Sequence, residues 1–332
     1  MNIPKSGLTL LELCVVIFIV IILIALLLPV MNSARITTRN DVCRNNIRQI
    51  TMACLSYESG NRTLPPGGWA NGWAGDPTLG DGKTQPGGWM YAILPHLGLG
   101  RLHLYDMDGA DKAELILKMQ QTPVRIFHCP SRRIAEPLPT RHTFYNSGSP
   151  GVMGKTDYAG NGGDGKTLEA FGSGPGMDTF TEEDWRKEPF IGDDTNPENP
   201  LVSNGVFQRR SGVRLAEITD GPAHTYLLGD KYLYPEAYLT GEAIGDDHGW
   251  NVGFDDDIIR FTRHVRPALI TPARDTPNLT APVFAFGSAH ASGFNMSMAD
   301  GSARSVSFRI NPEVHANLGI RNSGMKYGEK EF

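Results

Sequence analysis

Cysteine is scarce in this chain: 332 residues carry four, at positions 14, 43, 54 and 129, and no two form a C-x-x-C pair. That spacing argues against a zinc knuckle or a thioredoxin-like dithiol. A surplus of positive charge is also missing. The formal net charge is -5, which leaves a nucleic-acid partner without electrostatic support. No G-x-S-x-G elbow is present, and Ser288 in FGSAH does not fall between a strand and a helix. GNGGDG at 160–165 is glycine-rich but lacks the Lys-Ser/Thr of a phosphate loop. These absences together argue against an enzyme. What is plentiful is glycine, 38 residues, and proline, 23, which favours a loop-rich, β-containing body over a helical bundle.

One long apolar run exists, LCVVIFIVIILIALLLPV at 13–30. As a helix it measures ~27 Å, close to the hydrocarbon thickness of a bilayer. It exceeds the ~7–15-residue core of a secretory signal, and Met31-Asn32-Ser33-Ala34 is a poor small-x-small cleavage site. A plain anchor is the simplest reading. The residues ahead of the run are more particular: a polar leader, MNIPKSG, ends in Gly7, and Leu8-Thr9-Leu10-Leu11-Glu12 follows. This resembles the type IV prepilin signal. The resemblance implies cleavage after Gly7, methylation of the new N-terminus at Leu8, and an assembly role for Glu12, fifth in the mature chain. Leu8 stands where that family usually has Phe, and Pro29 falls where many pilins kink. A carboxylate at the edge of lipid is costly and marks function. The motif puts the leader in the cytoplasm. By the positive-inside rule, Arg35, Arg39, Arg44 and Arg48 against the single Lys5 favour the reverse, and the motif is followed here.

From Met31 the pattern turns amphipathic. Ile36, Val42/Cys43, Ile47, Ile50, Cys54 and Tyr57 recur mostly at three- and four-residue steps, with no Gly or Pro before Gly60. One helix over 8–59 is expected, with 8–30 in lipid and 31–59 as a stem packed on a body of 60–332. The basic face of the stem reads as solvated, with anionic headgroups as the alternative partner. Cys43 and Cys54 lie ~16 Å apart along one helix face, too far for a disulfide. In an exported body Cys43 is the expected partner of Cys129; otherwise each cysteine is a small buried hydrophobe.

In the body, helices are expected over 88–107 and 110–121, a short buried strand in VRIFHCPSRR (124–133), mostly loop over 134–200, and strands within 204–232 around Asp220-Gly221. The clearest element is a hairpin within 283–308: Phe294, Met296 and Met298 alternate, Asp300-Gly301 makes the turn, and Val306 and Phe308 return. The fold class is α+β: a long N-terminal helix on a β-rich, loop-rich domain.

Candidate sites are few. His290 and Asp300 invite acid–base or metal chemistry, but no nucleophile or third ligand completes them, and a structural role beside the Asp300-Gly301 turn is the plainer reading. Asp246, Asp247, Asp255, Asp256 and Asp257 crowd near His248. Such oxygen-rich loops can hold Ca2+, although this one lacks the EF-hand spacing, and a solvated acidic loop is the alternative. No other cofactor is expected. Trp69 and Trp73, among glycines, suggest a second function class, an anchored module that stacks on glycan.

CRNNIRQI, LPPGG, FHCPSRR, TDYAGNGG, LAEITDGPAHTYLLGDKY and the closing His290-x9-Asp300-Gly301, taken with the leader, resemble the planctomycete-type prepilin-like proteins catalogued as domain of unknown function 1559. The likeness runs from Gly7 to about Phe308 and departs at DGPAHT, where a Ser/Asn-rich turn is commoner. It implies a pilin-like architecture in a type IV pilus- or type II secretion-like system. The anchor would sit in the inner membrane, with the N-terminus cytoplasmic and the body periplasmic or on the cell surface. The implied partners are a prepilin peptidase/methyltransferase, other pilin-like subunits and the lipid bilayer. No activity is implied.

Overall fold

The computed structural model describes residues 10–104, 111–165, 181–183, 204–264, 269–278 and 283–325. The leader, with Gly7 and Leu8, lies outside the described residues. In chain order the elements are α1 (Leu10–Asn61), α2 (Trp89–Ala92), α3 (Gly100–Leu104), α4 (Lys112–Gln121), β1 (Pro137–Pro139), β2 (Val152–Gly154), β3 (Tyr158–Gly165), β4 (Phe207–Gln208), β5 (Ser211–Gly212), β6 (Tyr226–Asp230), β7 (Ile259–His264), β8 (Ala273–Arg274), β9 (Gly287–Ser288), β10 (Phe294–Met298), β11 (Ala303–Val306) and α5 (Pro312–Gly319). The chain is thus α+β, with its strands in the C-terminal two thirds.

α1 is a continuous helix of 52 residues that passes through Pro29. It ends where Arg62 adopts the left-handed conformation (φ 65) and its N–H donates to the Glu58 carbonyl at 2.7 Å. Its two ends differ in surroundings. The large apolar side chains from Leu10 to Ile24 are exposed, Leu10 at 82 %. Further along, Cys43, Ile47, Ile50, Cys54 and Tyr57 are buried at helical spacing. That face lies on β6, β10 and β11. Ile36 and Val42, which share the pattern, are exposed, so packing on the body begins at Cys43. In the apolar part of α1 the side chains are described without a break over 10–25, short of the ~20 residues that a span requires. Among the described residues no helix is long and apolar enough to cross a membrane.

The main sheet has the order β11-β10-β6-β3-β7. Its pairs are antiparallel except β3/β7, which run parallel from Gly160↔Ile259. The hairpin forms as the sequence dictates, with Phe294 opposite Val306 and Ser297 opposite Ala303. α5 packs on β3 and β7. Its N-terminus is capped by Asn311, whose side chain accepts the N–H groups of Glu313 and Val314.

Three expectations are corrected. The strand expected at 124–133 is a single 3-10 turn, Arg125–Phe127, which turns the chain into Cys129-Pro130. The helix expected over 88–107 is broken between α2 and α3 by a Pro95-initiated turn closed by Gly98 at φ 75. The stretch read mainly as loop contains β3, which is buried at all eight positions. Its glycines fit because neighbours approach closely: a Cβ on Gly160 would lie 2.4 Å from the Phe207 ring.

Candidate functional site

FHCPSRR brings two arginines into the interior, each with 1 % of its side chain exposed. Arg132 forks onto Asp275, with Nε–Oδ2 at 2.7 Å and Nη2–Oδ1 at 3.2 Å. Arg133 forks onto Asp246 at 2.5 and 2.8 Å and reaches Asp157 at 2.9 Å. Lys231 adds a third cation, 2.9 Å from Asp246. Burial opposes charge on Asp246, but Arg133 and Lys231 outweigh it and hold the carboxyl down at about 2. A buried network of this kind is destabilising to break, because each lost partner leaves an unpaired charge. Asp246, expected among calcium ligands, is committed to it.

Beside this network three elements converge. Cys43 comes from α1, Cys129 from the turn after Phe127, and His290 from the loop between β9 and β10. All three are buried, and their ligand atoms lie within 4.8 Å of one another. His290 Nε2 is 3.6 Å from Cys129 Sγ. The Cys129 N–H donates to Asp157 Oδ2 at 2.7 Å, which fixes the turn. The two thiols face each other within this trio. That contact draws the Cys129 thiol down to about 5, with help from His290 and Arg132, and raises Cys43. His290 rises: burial works against its charge, but Cys129 and Asp230 outweigh that. Burial pushes Asp230 up to about 7. The trio therefore sets an acidified thiol against a second thiol, and both are free cysteines in this structure.

A second cluster centres on His248. The loop after Gly245 brings Asp247 Oδ1 to 3.2 Å, Asp255 Oδ1 to 3.8 Å and Asp257 Oδ2 to 3.7 Å from His248 Nδ1. His142, from the segment after β1, stacks on His248 with ring centroids 3.7 Å apart, and its Nε2 lies 3.0 Å from Asp247 Oδ2. Burial opposes the charge of His248, yet Asp255, Asp247 and Asp257 raise it well above its ordinary range. Burial also opposes ionisation of Asp247, but His142 and His248 hold its carboxyl down. Burial pushes Asp255 and Asp256 up. These carboxylates are not a solvated acidic loop: Asp255 and Asp257 are 3 % and 0 % exposed. Main-chain turns fold the segment inward, the Asp257 N–H donating to Asp255 Oδ1 at 2.8 Å and the Ile259 N–H to the Asp255 carbonyl at 2.9 Å.

The other expected sites stand apart. Asp300 and Gly301 form the turn at the end of β10 remote from His290. Asp300 Oδ1 accepts the Ser302 N–H at 2.9 Å, and Gly301 takes φ 94 against Leu55 and Met52 of α1. Glu12 lies in the first turn of α1. The tryptophans expected to meet sugars are buried instead. Trp69 is 0 % and Trp73 4 % exposed, and they meet edge to face at 5.0 Å, because LPPGG and the glycines beside them fold the segment onto the 250–254 loop. Sequence reasoning missed both arginines and His142. The arginines close the FHCPSRR motif, one residue after Cys129-Pro130, which is the signal that could have found them, whereas His142 lies 106 residues before its partner and gave no signal.

A family profile described as a protein of unknown function (DUF1559), SBP_bac_10, matches residues 32–313. No curated protein and no solved structure matches the chain. The chain belongs to the DUF1559 family.

Proposed function

We propose that this DUF1559 member is a structural, prepilin- or pseudopilin-like subunit. On this reading it is cleaved after Gly7, N-methylated at Leu8 and held in the inner membrane by the first half of α1. Its body lies in the periplasm or at the cell surface. The partners are a prepilin peptidase/methyltransferase, the bilayer and further pilin-like subunits of a type IV pilus- or type II secretion-like system. No catalytic role is assigned.

The observation that carries this reading is α1 itself: one unbroken helix whose large apolar side chains are exposed over 10–24 and whose other end is built into the body from Cys43 to Tyr57. A bare apolar helix surface of this extent is unfavourable in water and calls for lipid or neighbouring helices. The prepilin-like leader directly ahead of it supplies the processing step. Incubation of the full chain with a prepilin peptidase tests the reading. Loss of residues 1–7, blocked in Gly7→Ala, is expected. An uncut chain, or cleavage indifferent to Gly7, would refute it.

A further inference from the structure

The structure assigns a second role to the body: we propose that His142, Asp247, His248, Asp255 and Asp257 bind a divalent d-block cation, of which Zn2+ and Mn2+ are the representatives.

The argument begins with unbalanced charge. Asp257 is 0 % exposed, its Oδ2 faces His248 Nδ1 at 3.7 Å, and neither of its carboxylate oxygens has a hydrogen-bond partner. A buried carboxylate left in that state is strongly disfavoured. His248 and Lys231 act on it only through space, and the hydrogen bonds of the other cations nearby go elsewhere. Lys155 Nζ donates to the carbonyls of Asp247 and His248. Lys231 Nζ donates to the Gly245 and Asp257 carbonyls and to Asp246. Arg260 donates to the Ile259 and Gly245 carbonyls. Among the described residues, none of these three donates to the side chain of Asp255 or Asp257.

The second argument is geometric. Metal–ligand bonds of ~2.0–2.2 Å place two donors on one tetrahedral or octahedral ion about 3 to 3.6 Å apart. The separations from His248 Nδ1 to Asp247, Asp255 and Asp257 are 3.2, 3.8 and 3.7 Å, close to the edges of such a polyhedron. The ligand atoms form two trios that share His248, one with His142 and Asp247 and one with Asp255 and Asp257, each within 4.8 Å. Access is through the outer pair, since His142 and Asp247 keep 37 % and 26 % of their side chains exposed while His248 keeps 7 %.

Ligand chemistry decides the class of ion. Ca2+ takes six to eight oxygens and has no use for imidazole. Two imidazoles among carboxylates suit zinc, manganese or iron. The ligand set therefore differs from an all-aspartate calcium loop by including two histidines and leaving out Asp256 and Asp246, the latter paired with Arg133 and Lys231.

The test is calorimetric titration of the detergent-solubilised full chain, stripped with chelator, with ZnCl2, MnCl2 and CaCl2 in turn. One equivalent of Zn2+ or Mn2+ should bind at least tenfold more tightly than Ca2+. Asp257→Asn and His248→Ala should each weaken it by tenfold or more. Because both residues are buried, His142→Ala at the mouth serves as the variant that leaves the core alone; it should weaken binding without lowering the melting temperature of the metal-free protein. Co2+ gives an independent readout, visible absorption bands that are lost in His142→Ala. No binding by any of the ions, preference for Ca2+, or an affinity and Co2+ spectrum indifferent to His142 would overturn the assignment.

Discussion

At the scale of single residues, burial decides more than spacing does, and His315 shows it most simply. This side chain on α5 is 0 % exposed, lies edge-on to Phe286 and Phe294, and places Nδ1 3.4 Å from Tyr226 Oη. Burial alone lowers its pKa to about 3. The unfolded chain would protonate near ~6.5, so the neutral ring contributes stability that is fully present above that pH and is lost as pH falls toward 3. The span corresponds to about 5 kcal/mol. Asp246, held at about 2, loses its contribution only below ~4, but Asp230 at about 7 and Cys129 at about 5 also titrate between pH 7 and 4.5, so the comparison with a His315 variant is what isolates the imidazole. Buried His128 is lowered in the same sense. Urea unfolding at pH 7 and pH 4.5 should therefore show a marked loss in the parent chain and a smaller one in His315→Gln. An equal loss in both proteins would refute the burial account.

At the scale of elements, what could be read in the sequence was what local chemistry specifies. The β10–β11 hairpin declares itself through alternation and Asp300-Gly301, and the stem of α1 through its helical period. β3 was hidden because a strand buried on both faces shows no alternation, and here glycines, rather than branched residues, let Phe207 and Phe261 approach. The segment 124–133 looked like a strand for the opposite reason: its apolar residues are buried, but around a turn that delivers Cys129, Arg132 and Arg133 to partners far away in sequence. The His248 cluster was half legible. The aspartates were visible as a run, while the roles that separate Asp246 from Asp257 depend on Arg133 and Lys231. Cys43, preferred over Cys54 as the partner of Cys129, does lie beside it. In an oxidising compartment we expect them to form a disulfide, their two protons and two electrons passing to a disulfide-exchange oxidant. That bond would tie α1 to the turn before Pro130 and add about 4 kcal/mol, given the long loop it closes. Alkylation and peptide mass spectrometry of exported protein should find Cys54 reduced and Cys43 joined to Cys129. Recovery of both as alkylated thiols would count against the bond.

At the scale of the whole molecule, the division of α1 matters most. Its C-terminal part is as much body as helix, since Cys43 to Tyr57 fill the space over β6, β10 and β11 and Gly301 closes on Met52 and Leu55. Among the described residues, the large apolar side chains of its N-terminal part, Leu10 to Ile24, stay exposed. Apolar residues alone would satisfy a bilayer, and a plain anchor would need no carboxylate. Glu12 lies in the first turn, and on the proposed reading it would separate an anchor from an assembly element. The positive end of the helix dipole favours a negative charge there, and cleavage after Gly7 would create a free amine on each neighbouring copy for that charge to meet. Glu12→Leu should then leave carbonate-resistant membrane association unchanged while sharply reducing cross-linking between differently tagged copies in native membranes. Mutating the partner instead, by blocking cleavage with Gly7→Ala, should reduce cross-linking to the same degree, because the amine is never formed. Cross-linking that survives both substitutions would leave α1 as an anchor and remove Glu12 from assembly.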